Sequence, residues 1–96
     1  MSSITVKELK KLLENKSEEF QVIDVRSKSE WNENHIQDSR VINIEVNNLL
    51  FDTSKLEKKK KIYLICESGG RSSFAQMILK TKGFDCINVE GGMSSY

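Results

Sequence analysis

Ile62-Tyr63-Leu64-Ile65-Cys66-Glu67-Ser68-Gly69-Gly70-Arg71-Ser72 contains the longest unbroken apolar run of the chain, its sharpest break and its best candidate nucleophile. The run over residues 62–66 has no polar alternation, which predicts a strand buried on both faces of a parallel sheet. Glu67 to Gly70 breaks it at once, and Ala75, Ile78 and Leu79 resume helical periodicity over residues 71–82. Lys80 and Lys82 fall in the last turn, where positive charge suits the carbonyl end of the helix dipole, and Gly83 can take the left-handed conformation just past it.

Outward from this segment, strands and helices alternate. Thr5 with Glu8 has capping-box spacing, and Val6, Leu9, Leu12 and Leu13 share one helical face, so a first helix runs from Val6 to about Asn15. Phe20 to Val25 reads as a second buried strand. Ser27 with Glu30 repeats the capping box ahead of a short helix through Trp31 to about Asn34, and Val41 to Ile44 reads as a further strand. Leu49, Leu50 and Leu56 fall in short helical pieces, and Ile87 to Val89 makes the last strand. The pattern predicts an α/β fold with a central, mainly parallel sheet and helices on both faces. Ligands of such sheets bind at the carboxyl ends of strands.

Composition narrows the function classes. Ninety-six residues fit one domain and cannot divide their core between two. Charged residues make up 30% of the chain but balance to a net charge of +1, and the only basic run, Lys58 to Lys61, has the look of a solvated turn, so no nucleic-acid partner is indicated. The five-residue apolar run falls far short of the ~20 residues of a membrane span or the ~7 of a signal-peptide core, which predicts a soluble, cytoplasmic protein. Cys66 and Cys86 have neither CxxC spacing nor a histidine at ligand spacing, so no metal site or disulfide framework is indicated. Any cysteine chemistry rests on a single thiol.

Cys66 is that thiol. At a strand end, followed by a glycine loop and a helix start, its sulfur faces converging backbone N–H groups. Gly69 and Gly70 permit the positive φ angles of a concave anion nest, and the helix N-terminus adds about half a positive charge. A free cysteine has a pKa of ~8.5 and is only about 3% ionised at pH 7; this setting lowers that pKa. Arg71, if turned inward, adds a fixed charge and paired donors. The competing reading makes Cys66 a buried, inert strand-end residue, Arg71 a surface residue, Ser72 a cap and Ser68 a turn former. Cys86, inside a strand, reads as buried. His35, the only histidine, reads as a turn support rather than a general base, and Trp31 as a core residue on a helix face.

Ile23-Asp24-Val25-Arg26, Glu30, His35-Ile36, Asn43-Ile44, the Cys66 to Ser72 loop and Glu90-Gly91-Gly92-Met93 together resemble a single-domain rhodanese, in an order and spacing that cover nearly the whole chain. The resemblance implies one rhodanese-like domain over residues 1–96, with Cys66 as sulfur-accepting nucleophile, residues 67–71 as the cradle, and Ser72 opening the next helix. It implies that Asp24 and Arg26 form a structural pair beneath the loop. The Cys-x4-Arg loop resembles that of sulfurtransferases, whereas related phosphatases and arsenate reductases carry one more loop residue. The reaction so implied moves a sulfane sulfur through a Cys66 persulfide. The donor is thiosulfate, a small persulfide or a protein persulfide; the acceptor is a thiol or cyanide; no metal or organic cofactor takes part. Glu67 beside the nucleophile should make a dianionic donor a poor one. A rhodanese-like interaction module without turnover is the alternative from another class.

The sequence also departs from the family pattern. Asn34 stands where glycine often precedes the His35 position, and the polar stretch from Gln37 to Arg40 is expected to reshape the turn there. Tyr96 occupies the place of the usual tryptophan, and the short closing helix of the family does not follow. Either the domain is abbreviated or the sequence is truncated; in both cases part of the core is expected to be exposed.

Overall fold

Two capping boxes set the helix starts. Thr5 Oγ1 accepts from Glu8 N–H at 3.1 Å while the Glu8 carboxylate accepts from Thr5 N–H at 2.9 Å, and Ser27 and Glu30 repeat the exchange at 3.2 and 3.0 Å. Each box satisfies amides that a helix start would leave unpaired. The structure, a computed structural model, describes residues 2–96. In chain order its elements are β1 (Ser3–Thr5), α1 (Val6–Glu14), β2 (Phe20–Asp24), α2 (Lys28–Glu33), β3 (Val41–Asn43), α3 (Val46–Phe51), β4 (Lys61–Ile65), α4 (Gly70–Thr81) and β5 (Cys86–Glu90), followed by a 3-10 turn over Gly92–Ser95.

The five strands form one sheet in the order β1-β5-β4-β2-β3, and every pairing is parallel. Alternation along the strands sorts the core into two layers. Ile23, Ile62 and Leu64 point to one face with Leu49 of α3 and Ala75 and Leu79 of α4; Val22, Tyr63, Ile65 and Val89 point to the other with Val6, Leu9 and Leu13 of α1. Leu9, Leu64 and Leu79 are fully buried, and each contributes roughly 1.5–3 kcal/mol of transfer free energy. β4 lies in the middle of the sheet, so its carboxyl end, and Cys66 directly after it, sit at the centre of one edge of the domain.

Helix and strand bounds agree with the sequence reading to within a few residues, with four differences. β1 was not foreseen: three residues carry too little pattern, and the strand exists through its pairing with β5 and through Ser2 O, which accepts from Asn88 N–H. Lys61 of the basic run already belongs to β4, and Leu56 lies in a turn rather than a helix. Trp31 is only half-buried, packing on the α1-side layer and stacking on His35 at 3.8 Å. In the stretch from Gln37 to Arg40, Arg40 pairs with Asp38 and also donates to Leu13 O, Asn15 O and Glu18 O, tying β3 to the end of α1. Among the described residues no helix is long and apolar enough to cross a membrane.

Candidate active site

At the end of β4 the chain must turn from strand to helix within four residues, and Gly69 makes the turn with φ 106°, a left-handed value that side chains rarely adopt. Of the two loop glycines only Gly69 uses that freedom. Gly70 is the first residue of α4, where the backbone is already helical, and a Cβ there would meet open space. The turn folds the loop amides inward. Gly69 N–H donates to Cys66 Sγ at 3.1 Å and Ser72 N–H at 3.4 Å, while Ser72 Oγ lies 3.3 Å from the sulfur.

The loop carbonyls are held on the opposite side. Met93 N–H donates to Cys66 O and Ser94 N–H to Glu67 O, each at 2.8 Å, so the start of the 3-10 turn takes up the carbonyls and leaves the amides free to face the sulfur. This arrangement gives the Gly91-Gly92 pair its physical reason: at Gly92 (φ 56°) a Cβ would run into the backbone oxygens of Cys66 and Glu67.

Cys66 is almost fully buried, at 1% exposure, and belongs to the α4-side core layer. Burial would push its thiol up, but the Ser72 hydroxyl and the N–H groups of Ser72, Gly69 and Ser68 outweigh it and hold the thiol below its ordinary value. Cys86 shows burial unopposed. Inside β5, with desolvation dominant and Asp85 adding to it, its thiol is pushed up to about 11. The two cysteines differ in donors rather than in depth.

Asp24 and Arg26 lie at the end of β2, both buried. Arg26 Nε donates to Asp24 Oδ1 at 2.9 Å and Nη2 to Oδ2 at 2.8 Å, with a further bond from Nη2 to Asn34 O. Asn43 Nδ2 donates to both Asp24 O and Arg26 O, fixing the backbone under the pair. Glu67, on the exposed side of the loop, approaches Arg26 Nη1 at 3.7 Å. Arg71 supplies paired donors, but to Glu30 of α2: Nη1 to Oε1 at 2.7 Å and Nη2 to Oε2 at 2.9 Å. Its charge still lies within electrostatic reach of Cys66. Two cations therefore share the loop with three carboxylates, Asp24, Glu30 and Glu67. His35 Nδ1 bonds Trp31 O at 2.7 Å, at the end of α2, as a turn support does.

Three contributors went unassigned in the sequence reading. Glu30 is legible as a cap, yet it also clamps Arg71; Asn43 holds β2 to β3; Asn88 on β5 touches the Ser72 hydroxyl. The only sequence signal for Asn88 is a polar residue between the apolar Ile87 and Val89 of its strand.

A parallel five-stranded sheet with a cysteine at the head of its central strand, cradled by loop amides, defines a class of small α/β cysteine-loop domains. A family model described as Rhodanese-like domain matches residues 5–96, and the chain belongs to that family. A Bacillus subtilis protein named "Putative sulfurtransferase YtwF" is 35% identical over 79 residues, 82% of this chain and 75% of that protein. The Ogataea parapolymorpha protein named "Adenylyltransferase and sulfurtransferase uba4" is 36% identical over 77 residues, covering 78% of this chain. The chain spans only about a fifth to a quarter of the length of the adenylyltransferase relatives it matches. The crystal structure of a rhodanese-like domain protein from Staphylococcus aureus superposes with a TM-score of 0.90 at 33% identity, covering 99% of this chain and 90% of that one. The family is one of sulfur transfer, with relatives named as sulfurtransferases or sulfur carriers.

Proposed function

We propose that residues 1–96 act as one rhodanese-like domain that moves a sulfane sulfur from donor to acceptor through a persulfide on Cys66. The observation that carries this reading is the convergence of Gly69 N–H, Ser72 N–H and the Ser72 hydroxyl on Cys66 Sγ. In the first step the thiolate attacks the outer sulfur of the donor. A bond forms between Sγ and that sulfur, and the donor's own bond to it breaks with its electron pair, releasing sulfite from thiosulfate or a thiolate from a persulfide. In the second, a thiol, as thiolate, or cyanide attacks the outer sulfur, and Cys66 leaves as thiolate.

Each half-reaction starts and ends with one negative charge near the same atoms, so one set of amides serves both states. Ser68, Gly69, Gly70 and Ser72 form the cradle, Glu67 and Arg71 flank it, and Asp24 with Arg26 supports it from below. The chemistry asks nothing of a metal or organic cofactor. A reducing cytoplasm suits the two free thiols.

A phosphatase or arsenate reductase reading has less support. The loop is Cys-x4-Arg, and its arginine is engaged by Glu30 instead of standing open for a tetrahedral oxyanion. The test is mass spectrometry after exposure to thiosulfate and to a small-molecule persulfide. Wild type should gain about 32 Da, one sulfur, which cyanide or a thiol removes. Sulfur transfer that persists in Cys66→Ser would end the proposal.

A further inference from the structure

The Ser72 hydroxyl is fully buried and carries one proton, yet it has three neighbours: Cys66 Sγ at 3.3 Å, Gly69 O at 3.2 Å and the Asn88 side-chain oxygen at 2.5 Å. When Cys66 is a neutral thiol, this arrangement is satisfied. The S–H donates to Ser72 Oγ, and the hydroxyl proton goes to Asn88 Oδ1. When Cys66 is an anion, it has no proton to give, and the hydroxyl stabilises it only by turning its own proton toward the sulfur. Ser72 Oγ then faces the Asn88 oxygen with no proton between them, two acceptors in contact in a buried place.

Turning the Asn88 amide over by half a rotation removes the conflict. Its Nδ2 would donate to Ser72 Oγ, leaving the hydroxyl proton free for the sulfur. Among the described residues no protein group holds Asn88 Nδ2, which faces solvent, so the turn exchanges one solvated amide atom for the other and breaks no other protein bond. The backbone around it is fixed, since Asn88 lies in β5 between β4 and β1, opposite Leu64 and Ser3. Only the amide need move.

We infer that Asn88 is a positioning residue whose amide switches between accepting from and donating to Ser72 as Cys66 passes between neutral thiol and sulfur anion. The inference deepens the sulfur-transfer reading and rests on Cys66 as its reactive atom. Asn88 touches neither substrate nor sulfur; it sets which way one hydroxyl points. The charged groups about the sulfur are Arg71 on α4 with Glu30 on α2, Asp24 at the end of β2 with Arg26 just after it, and Glu67 in the loop, and none of them bonds the Ser72 or Asn88 side chain among the described residues.

The experiment is the pH profile of Cys66 alkylation by iodoacetamide in a Cys86→Ser background, which reads the thiol alone. Asn88→Leu keeps the shape and removes both roles of the amide, of which the bond supporting the sulfur anion is the stronger and so the larger loss. It should raise the apparent pKa of Cys66 by about half a unit to one unit, a roughly three- to tenfold slower reaction at pH 7. Ser72→Ala should do the same, and the double variant should go no further, because Asn88 acts only through Ser72. A purely structural role for Asn88 would add to the effect of Ser72→Ala. Asn88→Val, uncharged, without donor or acceptor and suited to a strand, should raise the pKa in the same way and decides the matter should the Leu variant not fold. A profile of Asn88→Leu matching the parent, additive shifts, or an unmoved pKa in Asn88→Val would overturn the inference. These outcomes are separate from persulfide formation. A chain that never takes up sulfur overturns the functional reading while leaving the switch intact, and a sulfur-loading chain with an unmoved pKa does the reverse.

Discussion

Arg71 donates from both terminal nitrogens to the two carboxylate oxygens of Glu30, so the one arginine of the segment from Cys66 to Ser72 is already paired before any substrate arrives. This pairing fixes the α4 start against α2 and draws positive charge away from the mouth of the cradle. Glu67 adds a second, exposed carboxylate there. Thiosulfate is a dianion and should bind poorly beside them. Glu30→Gln and Glu67→Gln should each lower the thiosulfate KM, by about fivefold for each unit of thiosulfate charge held ~4 Å away through water. Steady-state kinetics with thiosulfate, against a neutral organic persulfide donor whose KM should stay put, checks it; an unchanged thiosulfate KM in both variants would refute the electrostatic account.

The same pair gives the fold an acid limit. Arg71, with help from the Ser27 amide, holds the Glu30 carboxyl down from 4.5 to about 2. A depressed carboxyl contributes stability that is fully present above the unfolded value and is lost as pH falls through the folded one. Thermal melts of the wild type should therefore lose a component between about pH 4.5 and pH 2 that Glu30→Gln lacks. Parallel curves for the two proteins over that window would show that the pair is too well screened by solvent to matter.

Gly92→Ala tests how the cradle is held open. The added methyl meets the Cys66 and Glu67 carbonyl oxygens, and the residue is left in a left-handed conformation. Both effects push the 3-10 turn off the loop and free the two carbonyls. The expected cost is about 2–4 kcal/mol in urea denaturation, with sulfur loading reduced more than proportionately because the amides lose their aim. Loading at the wild-type level in a folded Gly92→Ala protein would show that the carbonyl brace is dispensable.

Arg40 is the contrasting position. It lies just before β3, at the amino ends of the strands and so at the opposite end of the sheet from Cys66, and its guanidinium caps three carbonyls at and after the end of α1 while pairing with Asp38. Arg40→Ala should destabilise the protein by about 2–3 kcal/mol, since Asp38 and those carbonyls lose charge-assisted bonds together. Sulfur transfer at temperatures where the variant is folded should be unchanged. A selective fall in transfer would mean that the two ends of the sheet are coupled.

The fold was legible wherever a strand or helix carries its own local signal. Unbroken apolar runs mark β2 and β4, capping boxes mark α1 and α2, and Gly83, at φ 88°, closes α4 as its position suggests. β1 escaped because its partner is β5, more than eighty residues away, and three residues hold no period. The loop was legible as a nest, yet the assignment of positive φ to both glycines was half right, since Gly70 is taken into the helix.

The sequence by itself determined the order of the elements after β1, the cysteine at the end of the clearest strand and the pair of glycines within which its loop bends, because these follow from periodicity and backbone stereochemistry within a dozen residues. Only the tertiary structure decided where the charges and protons go. Whether Arg71 faces the sulfur or Glu30, whether Gly92 braces the loop, and whether Asn88 meets Ser72 all depend on side chains from distant strands arriving within about 3 Å of one another, and a hydrogen bond leaves no trace in composition.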